Sequence, residues 1–152
     1  MPANKTILVV EDNEINRLML SELLSLEYTV LEAENGQQAL DVLEKRKDEI
    51  SLILLDITMP VMDGYTFLSI AKADPALASI PVIVTTQSDS EADEVAALSH
   101  GATDYVAKPY KPQIIRHRVA SIIHLRETAA MINQFQYDRL TSLYSKEFFY
   151  QR

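Results

Sequence analysis

Four short apolar segments of this chain each run into residues able to do phosphoryl or metal chemistry. Glu11 and Asp12 follow Ile7-Leu8-Val9-Val10, and Asp56 follows Leu52-Ile53-Leu54-Leu55. Thr85-Thr86 closes Pro81-Val82-Ile83-Val84, and Lys108 follows Asp104-Tyr105-Val106-Ala107. Carboxylates brought together repel one another and resist ionising unless a positive charge compensates. A hard divalent cation supplies that charge, since Mg²⁺ takes one or two carboxylates together with carbonyls, waters and phosphate oxygens. Lys108 adds a compact ammonium suited to a phosphoryl oxygen, and the Thr86 hydroxyl can donate to another. A nucleophilic carboxylate flanked by metal, lysine and hydroxyl is what in-line phosphoryl transfer needs. Each residue also has an ordinary reading. Glu11-Asp12-Asn13 can simply cap a helix, and a strand tyrosine such as Tyr105 can be half-buried packing.

The elements that must position these residues are legible from periodicity. Apolar runs that read as strands alternate with amphipathic runs that read as helices. The second strand is expected over Tyr28 to Ala33, punctuated by Asn35-Gly36, with a helix over Gln37 to Lys47. A loop carrying Pro60 and Gly64 follows Asp56, then a helix near Tyr65 to Ala73. Glu91 to Ser99 forms a fourth helix ended by Gly101, and a fifth begins near Pro112. Strands that are apolar throughout and alternate with helices imply an α/β fold, a parallel sheet covered on both faces. Right-handed crossovers make it doubly wound. Functional sites in such sheets lie beyond the carboxyl ends of the strands, where Glu11, Asp12, Asp56, Thr86 and Lys108 stand. Met59-Pro60 and Asp63-Gly64 read as loop-shaping residues, the proline fixing the backbone and the glycine permitting a positive φ.

Bulk properties set limits. At 152 residues, 47% hydrophobic and 24% charged, the chain is long enough for one compact domain with a remainder. Its net charge of −8 opposes direct binding to nucleic acid or to anionic membranes. The absence of cysteine excludes disulfides and thiolate chemistry. The first apolar run is too short for a signal-peptide core or a membrane span, so a cytoplasmic location is expected.

The segments Ile7 to Asn13, Leu54 to Gly64, Pro81 to Thr86 and Tyr105 to Tyr110 resemble the hallmark segments of response-regulator receiver domains. Asn35-Gly36-Gln37-Gln38-Ala39-Leu40 also resembles the start of that family's second helix. The resemblance implies five parallel strands in the flavodoxin-like order 2-1-3-4-5. It implies Asp56 as phosphoacceptor, and Glu11, Asp12, Asp56 and the Thr58 backbone carbonyl as the site of Mg²⁺, with Mn²⁺ or Ca²⁺ as substitutes in a crystal. Lys108 corresponds to the phosphate-binding lysine, its bond to Pro109 cis, and Thr86 with Tyr105 to the switch pair. The implied phosphodonor is a sensor histidine kinase or phosphotransfer protein. The implied output surface is the face of helix 4, strand 5 and helix 5. Two departures stand out. Gln87 occupies a place usually held by a small residue, and Thr58 and Ser88 offer no acid or amide to position water, so the phosphoaspartate is expected to hydrolyse slowly.

The receiver is expected over residues 1–124. Ile122, Leu125, Ala129 and Ile132 continue a helical seam, giving a linker over residues 125–137 able to pair with a second copy. A homodimer is therefore expected, through that helix or through the face of helix 4, strand 5 and helix 5. Tyr137 to Phe149 resembles the opening of a GGDEF domain, which implies residues 138–152 begin a diguanylate cyclase module in a longer parent. An amphipathic C-terminal helix is the plainer reading. The receiver alone is not expected to be an enzyme. Dehalogenase-like phosphatases place a second Asp two residues after the nucleophile, where this chain has Thr58. A flavodoxin-like cofactor binder would meet repulsion from Glu11-Asp12-Asn13-Glu14. A phosphorylation-independent interaction module is the remaining alternative.

Overall fold

The computed structural model describes residues 5–57, 62–86, 91–108 and 111–128. The chain divides into two units, one ending at Val119 and one beginning at Ala120. Of the second unit, residues 120–128 are described and are helical. Thr58, Met59, Pro60, Gln87, Ser88, Pro109 and everything from Ala129 onward, including the seam's end and the GGDEF-like segment, lie outside the described residues.

Strands β1 (Thr6–Val10), β2 (Thr29–Ala33), β3 (Ile50–Asp56), β4 (Val82–Thr86) and β5 (Asp104–Ala107) form one parallel sheet in the order β2-β1-β3-β4-β5. Between them run α1 (Glu14–Ser25), α2 (Gly36–Arg46), α3 (Gly64–Ala73) and α4 (Glu91–Ser99), with a 3₁₀ turn at Lys47–Glu49. A fifth helix, α5, covers residues 112–128. The second helix stops one residue short of the expected Lys47, which starts the 3₁₀ turn instead.

Side chains alternate across each strand, and the sheet separates two apolar layers accordingly. Leu8, Val10, Ile53, Leu55, Val82 and Val84 share a core with Ala39 and Leu43 of α2, Phe67, Leu68 and Ala71 of α3, and Ala97 of α4. The alternate positions Ile7, Val9, Leu52, Leu54 and Ile83 are equally buried, as are Leu20 and Leu24 of α1 and Ile115 and Val119 of α5. The central strands are buried at every position but Ser51; the edge strands are not. In β2, Thr29 and Glu32 are exposed and Val30 and Leu31 half-buried, and β5 is half-buried at three of its four positions. The edge strands are the less buried ones because each has a neighbouring strand on one side only.

Helix ends are set by identifiable side chains. Asn13, Asn35 and Asp63 each accept the backbone N–H three residues on, at 2.9, 2.9 and 2.8 Å, capping α1, α2 and α3. The α4 terminus folds back on itself around Gly101 (φ 107°). Gly101 N donates to Leu98 O at 3.0 Å and Ala102 N to Ala97 O at 3.1 Å, the paired bonds of a Schellman stop. Gly64 acts differently from the expected positive φ. A Cβ there would come within 2.6 Å of Ile57 Cα and 2.8 Å of Asp56 O, so glycine allows α3 to close against the end of β3. The Gly64 N to Ile57 O bond of 2.9 Å ties that closure.

No helix among the described residues is long and apolar enough to cross a membrane.

Candidate phosphoacceptor site

Asp56 is the last residue of β3, and the sheet register carries its neighbours to the same edge. Glu11 and Asp12 leave the end of β1, which pairs with β3 from Thr6 to Val10. Glu11 N donates to Ala33 O at 3.0 Å, extending the β1–β2 ladder by one step. Because Asn13 takes the capping role, Glu11 and Asp12 are released from it. The capping alternative thus holds for one residue of the three.

The three acids offer ligand oxygens that all lie within 4.8 Å of one another. Glu11 and Asp56 are buried, with 1% and 2% of their surface exposed, while Asp12 is exposed. Lys108, following β5, places its ammonium 3.1 Å from Glu11 Oε1 and 3.3 Å from Asp56 Oδ1. Its backbone N–H is anchored to Thr86 O at 2.6 Å. Burial first, then the adjoining Glu11 and Asp12 carboxyls, push Asp56 up to about 8, against the downward pull of the Lys108 ammonium.

Thr85 and Thr86 are both buried at the end of β4. Thr85 lies in register with Asp56, and its hydroxyl donates to Leu55 O at 3.4 Å. Tyr105 lies opposite Val84 in the ladder and packs half-buried against the core beside α4. The structure thus brings Glu11, Asp12, Asp56 and Lys108 together at one end of the sheet, with Thr86 at the end of the adjoining strand. Thr58 falls outside the described residues.

One residue with a stake in this site was missed by pattern reasoning. Arg17, on α1, donates from its Nη1 to Glu11 O at 3.0 Å and from its Nε to Glu32 Oε1 at 3.1 Å. In the sequence it reads as a surface arginine of an amphipathic helix.

The donor set suits a hard cation. Oxygens sharing one Mg²⁺ stand at most about 4.2 Å apart, given bonds of about 2.1 Å. The observed spread within 4.8 Å needs only small side-chain adjustment. An Asp56 carboxyl held up near 8 by burial and by its acidic neighbours is a group whose ionisation a divalent charge would favour.

Comparison with known proteins shows the family. The chain is 40% identical over 121 residues to the transcriptional regulatory protein CpxR of Escherichia coli K12, covering 79% of this chain and 49% of that one. Among solved structures, the receiver domain of the sensor histidine kinase PA1611 from Pseudomonas aeruginosa PAO1, with a magnesium ion coordinated in its active-site cleft, is 32% identical with a TM-score of 0.73, covering 80% of this chain and 99% of that one. A probable two-component response regulator/GGDEF domain protein is 27% identical with a TM-score of 0.75, covering 80% of this chain and 50% of that one. The chain spans about half the length, or less, of the curated relatives it matches. Residues 7–120 match the response regulator receiver domain family, and the chain belongs to it.

Proposed function

We propose that this receiver of a two-component system takes a phosphoryl group on Asp56 in a Mg²⁺-dependent reaction and relays the change to an output domain. The observation that carries the proposal is the Glu11–Asp12–Asp56 cluster with Lys108 in contact with two of its members. Glu11, Asp12, Asp56 and the Thr58 carbonyl would hold the cation, Mg²⁺ in the cell and replaceable by Mn²⁺ or Ca²⁺. When bound it would neutralise the clustered carboxylates and the charge on the phosphoryl oxygens. The magnesium in the PA1611 receiver supports this choice.

An Asp56 oxygen bonds to phosphorus as the phosphorus–nitrogen bond of a partner's phosphohistidine breaks, and the electron pair departs on the imidazole nitrogen. Lys108 then exchanges its contact with the free carboxylate for one with a phosphoryl oxygen. Thr86 supplies the hydroxyl donor, a role favoured over Thr85 because the Thr85 hydroxyl is turned to Leu55 O. As Thr86 moves toward the phosphoryl group, the Tyr105 ring turns further inward and alters the surface of α4, β5 and α5. The partner is a histidine kinase or a phosphotransfer protein, and the protein acts in the cytoplasm as a phosphoacceptor rather than as a free-standing enzyme.

The exposed Val95 and Leu98 of α4 and Ile114 of α5, together with the Asp104–Arg118 ion pair of 2.8 Å between β5 and α5, support pairing of this face with a second copy of the chain. The C-terminal helix offers a second dimer contact. We assign residues 1–124 to the receiver, 125–137 to a helical linker and 138–152 to the start of a GGDEF-like output domain. Similarity to a response regulator/GGDEF protein supports that order.

Fluoroberyllate, a phosphoryl mimic, tests the reading. With Mg²⁺ it should raise the melting temperature of the wild type and leave that of Asp56→Asn unchanged. No shift in the wild type would favour the phosphorylation-independent interaction module.

A further inference from the structure

Arg17 occupies an unusual place for a helix-surface residue. Its side chain is only 11% exposed, and its guanidinium meets three acceptors from two separate parts of the chain. It donates to the Glu11 carbonyl at 3.0 Å and to Glu32 at 3.1 Å, and it lies 3.7 Å from Glu34. Its own backbone N–H donates to Asn13 O at 2.9 Å, inside the first turn of α1. The residue therefore grips the β1–α1 turn from both ends, at Glu11 and at Asn13. Between those two points lies Asp12, whose carboxyl is the exposed member of the acidic cluster.

A guanidinium is a planar fork with five donors, so several acceptors fix its orientation. A carbonyl held by such a fork cannot rotate freely, and the peptide plane joining Glu11 to Asp12 is held with it. The Glu11 N–H is fixed at the same time by Ala33 O. Both sides of Glu11 are thus pinned, and its carboxyl is aimed at Lys108 and Asp56 with little freedom left. The exposed pair Arg116–Glu27, by contrast, joins two side chains and touches no site residue.

We infer that Arg17 is a positioning residue for the cation site, holding the Glu11–Asp12 turn so that both carboxyls meet Asp56 before any ion arrives. This rests on the metal-dependent reading of the cluster. Arg17 bonds the main chain of a ligand residue and not the ion, the way outer-shell partners commonly orient ligands, and losing such partners typically weakens metal binding about 10- to 100-fold. Glu32 and Glu34 hold the far side of the guanidinium and serve stability more than the site.

The test is Mn²⁺ titration followed by electron paramagnetic resonance, with folding checked by circular dichroism. Arg17→Ala should weaken Mn²⁺ binding about 10-fold, with Arg17→Lys intermediate. Glu32→Gln together with Glu34→Gln should lower the melting temperature and leave Mn²⁺ affinity within about twofold of wild type. Wild-type Mn²⁺ affinity in folded Arg17→Ala overturns the inference, and if that variant does not fold, wild-type affinity in Arg17→Lys overturns it. A wild-type protein that binds no Mn²⁺ at all overturns instead the metal-dependent reading beneath it.

Discussion

The Lys108 ammonium stands 3.3 Å from Asp56 Oδ1 while also 3.1 Å from Glu11 Oε1, so one cation bridges two buried acids. Two carboxylates out of water are tolerable only with such compensation. Lys108 is nevertheless incomplete as a counter-charge, because Asp56 remains pushed up to about 8. The remaining deficit is what a divalent ion would supply.

Lys108→Gln should separate the two positive charges of the site. The ammonium repels an incoming cation but attracts a phosphoryl oxygen. Phosphorylation by acetyl phosphate should therefore slow about 10-fold or more, corresponding to about 1.4 kcal/mol of lost stabilisation. Mg²⁺ affinity, measured by calorimetry, should stay equal or rise. A variant phosphorylated at the wild-type rate would remove Lys108 from the reaction.

Asp56 sets a pH dependence whose sign is opposite to that of an ordinary salt-bridged carboxylate, because burial outweighs its pairing with Lys108. Its folded value of about 8 lies above the ordinary 3.8, so the folded state binds more protons between those two pH values. The stability this group contributes is greatest at low pH, declines as pH rises through that window and is fully lost above about 8. In chelator, Asp56→Asn should be the more stable protein at pH 8, by roughly 1–3 kcal/mol in denaturant melts. The difference should vanish near pH 4. Mg²⁺ affinity of the wild type should rise over pH 6 to 8 as the proton leaves.

The two buried glycines should respond unequally to alanine. At Gly64 the new Cβ meets backbone, Ile57 Cα at 2.6 Å and Asp56 O at 2.8 Å. Gly64→Ala should cost roughly 1–3 kcal/mol of stability and also weaken Mg²⁺ binding, since the end of β3 must shift. At Gly36 the nearest atoms are those of the Met62 side chain, from 2.9 Å. Methionine adapts readily, and alanine favours the helix by about 0.5–1 kcal/mol, so Gly36→Ala should be close to neutral in the same melts.

A partner delivering a phosphoryl group to Asp56 must rest on the surface around Asp12. There the first turn of α1 carries Ile15, 78% exposed, and Leu18 and Met19 continue the same side at helical spacing. Ile15→Glu should slow transfer from a phosphorylated histidine partner about 10-fold while leaving acetyl phosphate labelling unchanged. Equal slowing with both donors would place the effect in the site itself.

Much of this was legible in the chain because buried parallel strands carry uninterrupted apolar runs that stop where the polar site begins. Ile50 to Asp56 is the plainest case, apolar until Asp56 apart from Ser51. The exposed positions of β2, Thr29 and Glu32, are polar in the sequence, but the partial exposure of Val30 and Leu31 comes from the edge position and is not marked by those residues. Arg17 was hidden for a related reason. Its acceptors lie just past β1, in β2 and just past β2, and no local spacing marks an arginine that will be surrounded. Gly64 was read correctly as loop-shaping but for the wrong cause, because close approach of two backbones leaves no mark in the sequence distinct from a positive φ. Thr86 ends β4 and Tyr105 lies in β5, and their pairing as a switch belongs to the proposal.

The most direct measurement is intact mass after incubation with Mg²⁺ and acetyl phosphate, followed by peptide mapping of the acid-labile, base-labile adduct. The account predicts one added phosphoryl group, located on Asp56 and absent from Asp56→Asn or when the metal is chelated. An unchanged mass, or a phosphoryl group mapped to any other residue, would contradict it.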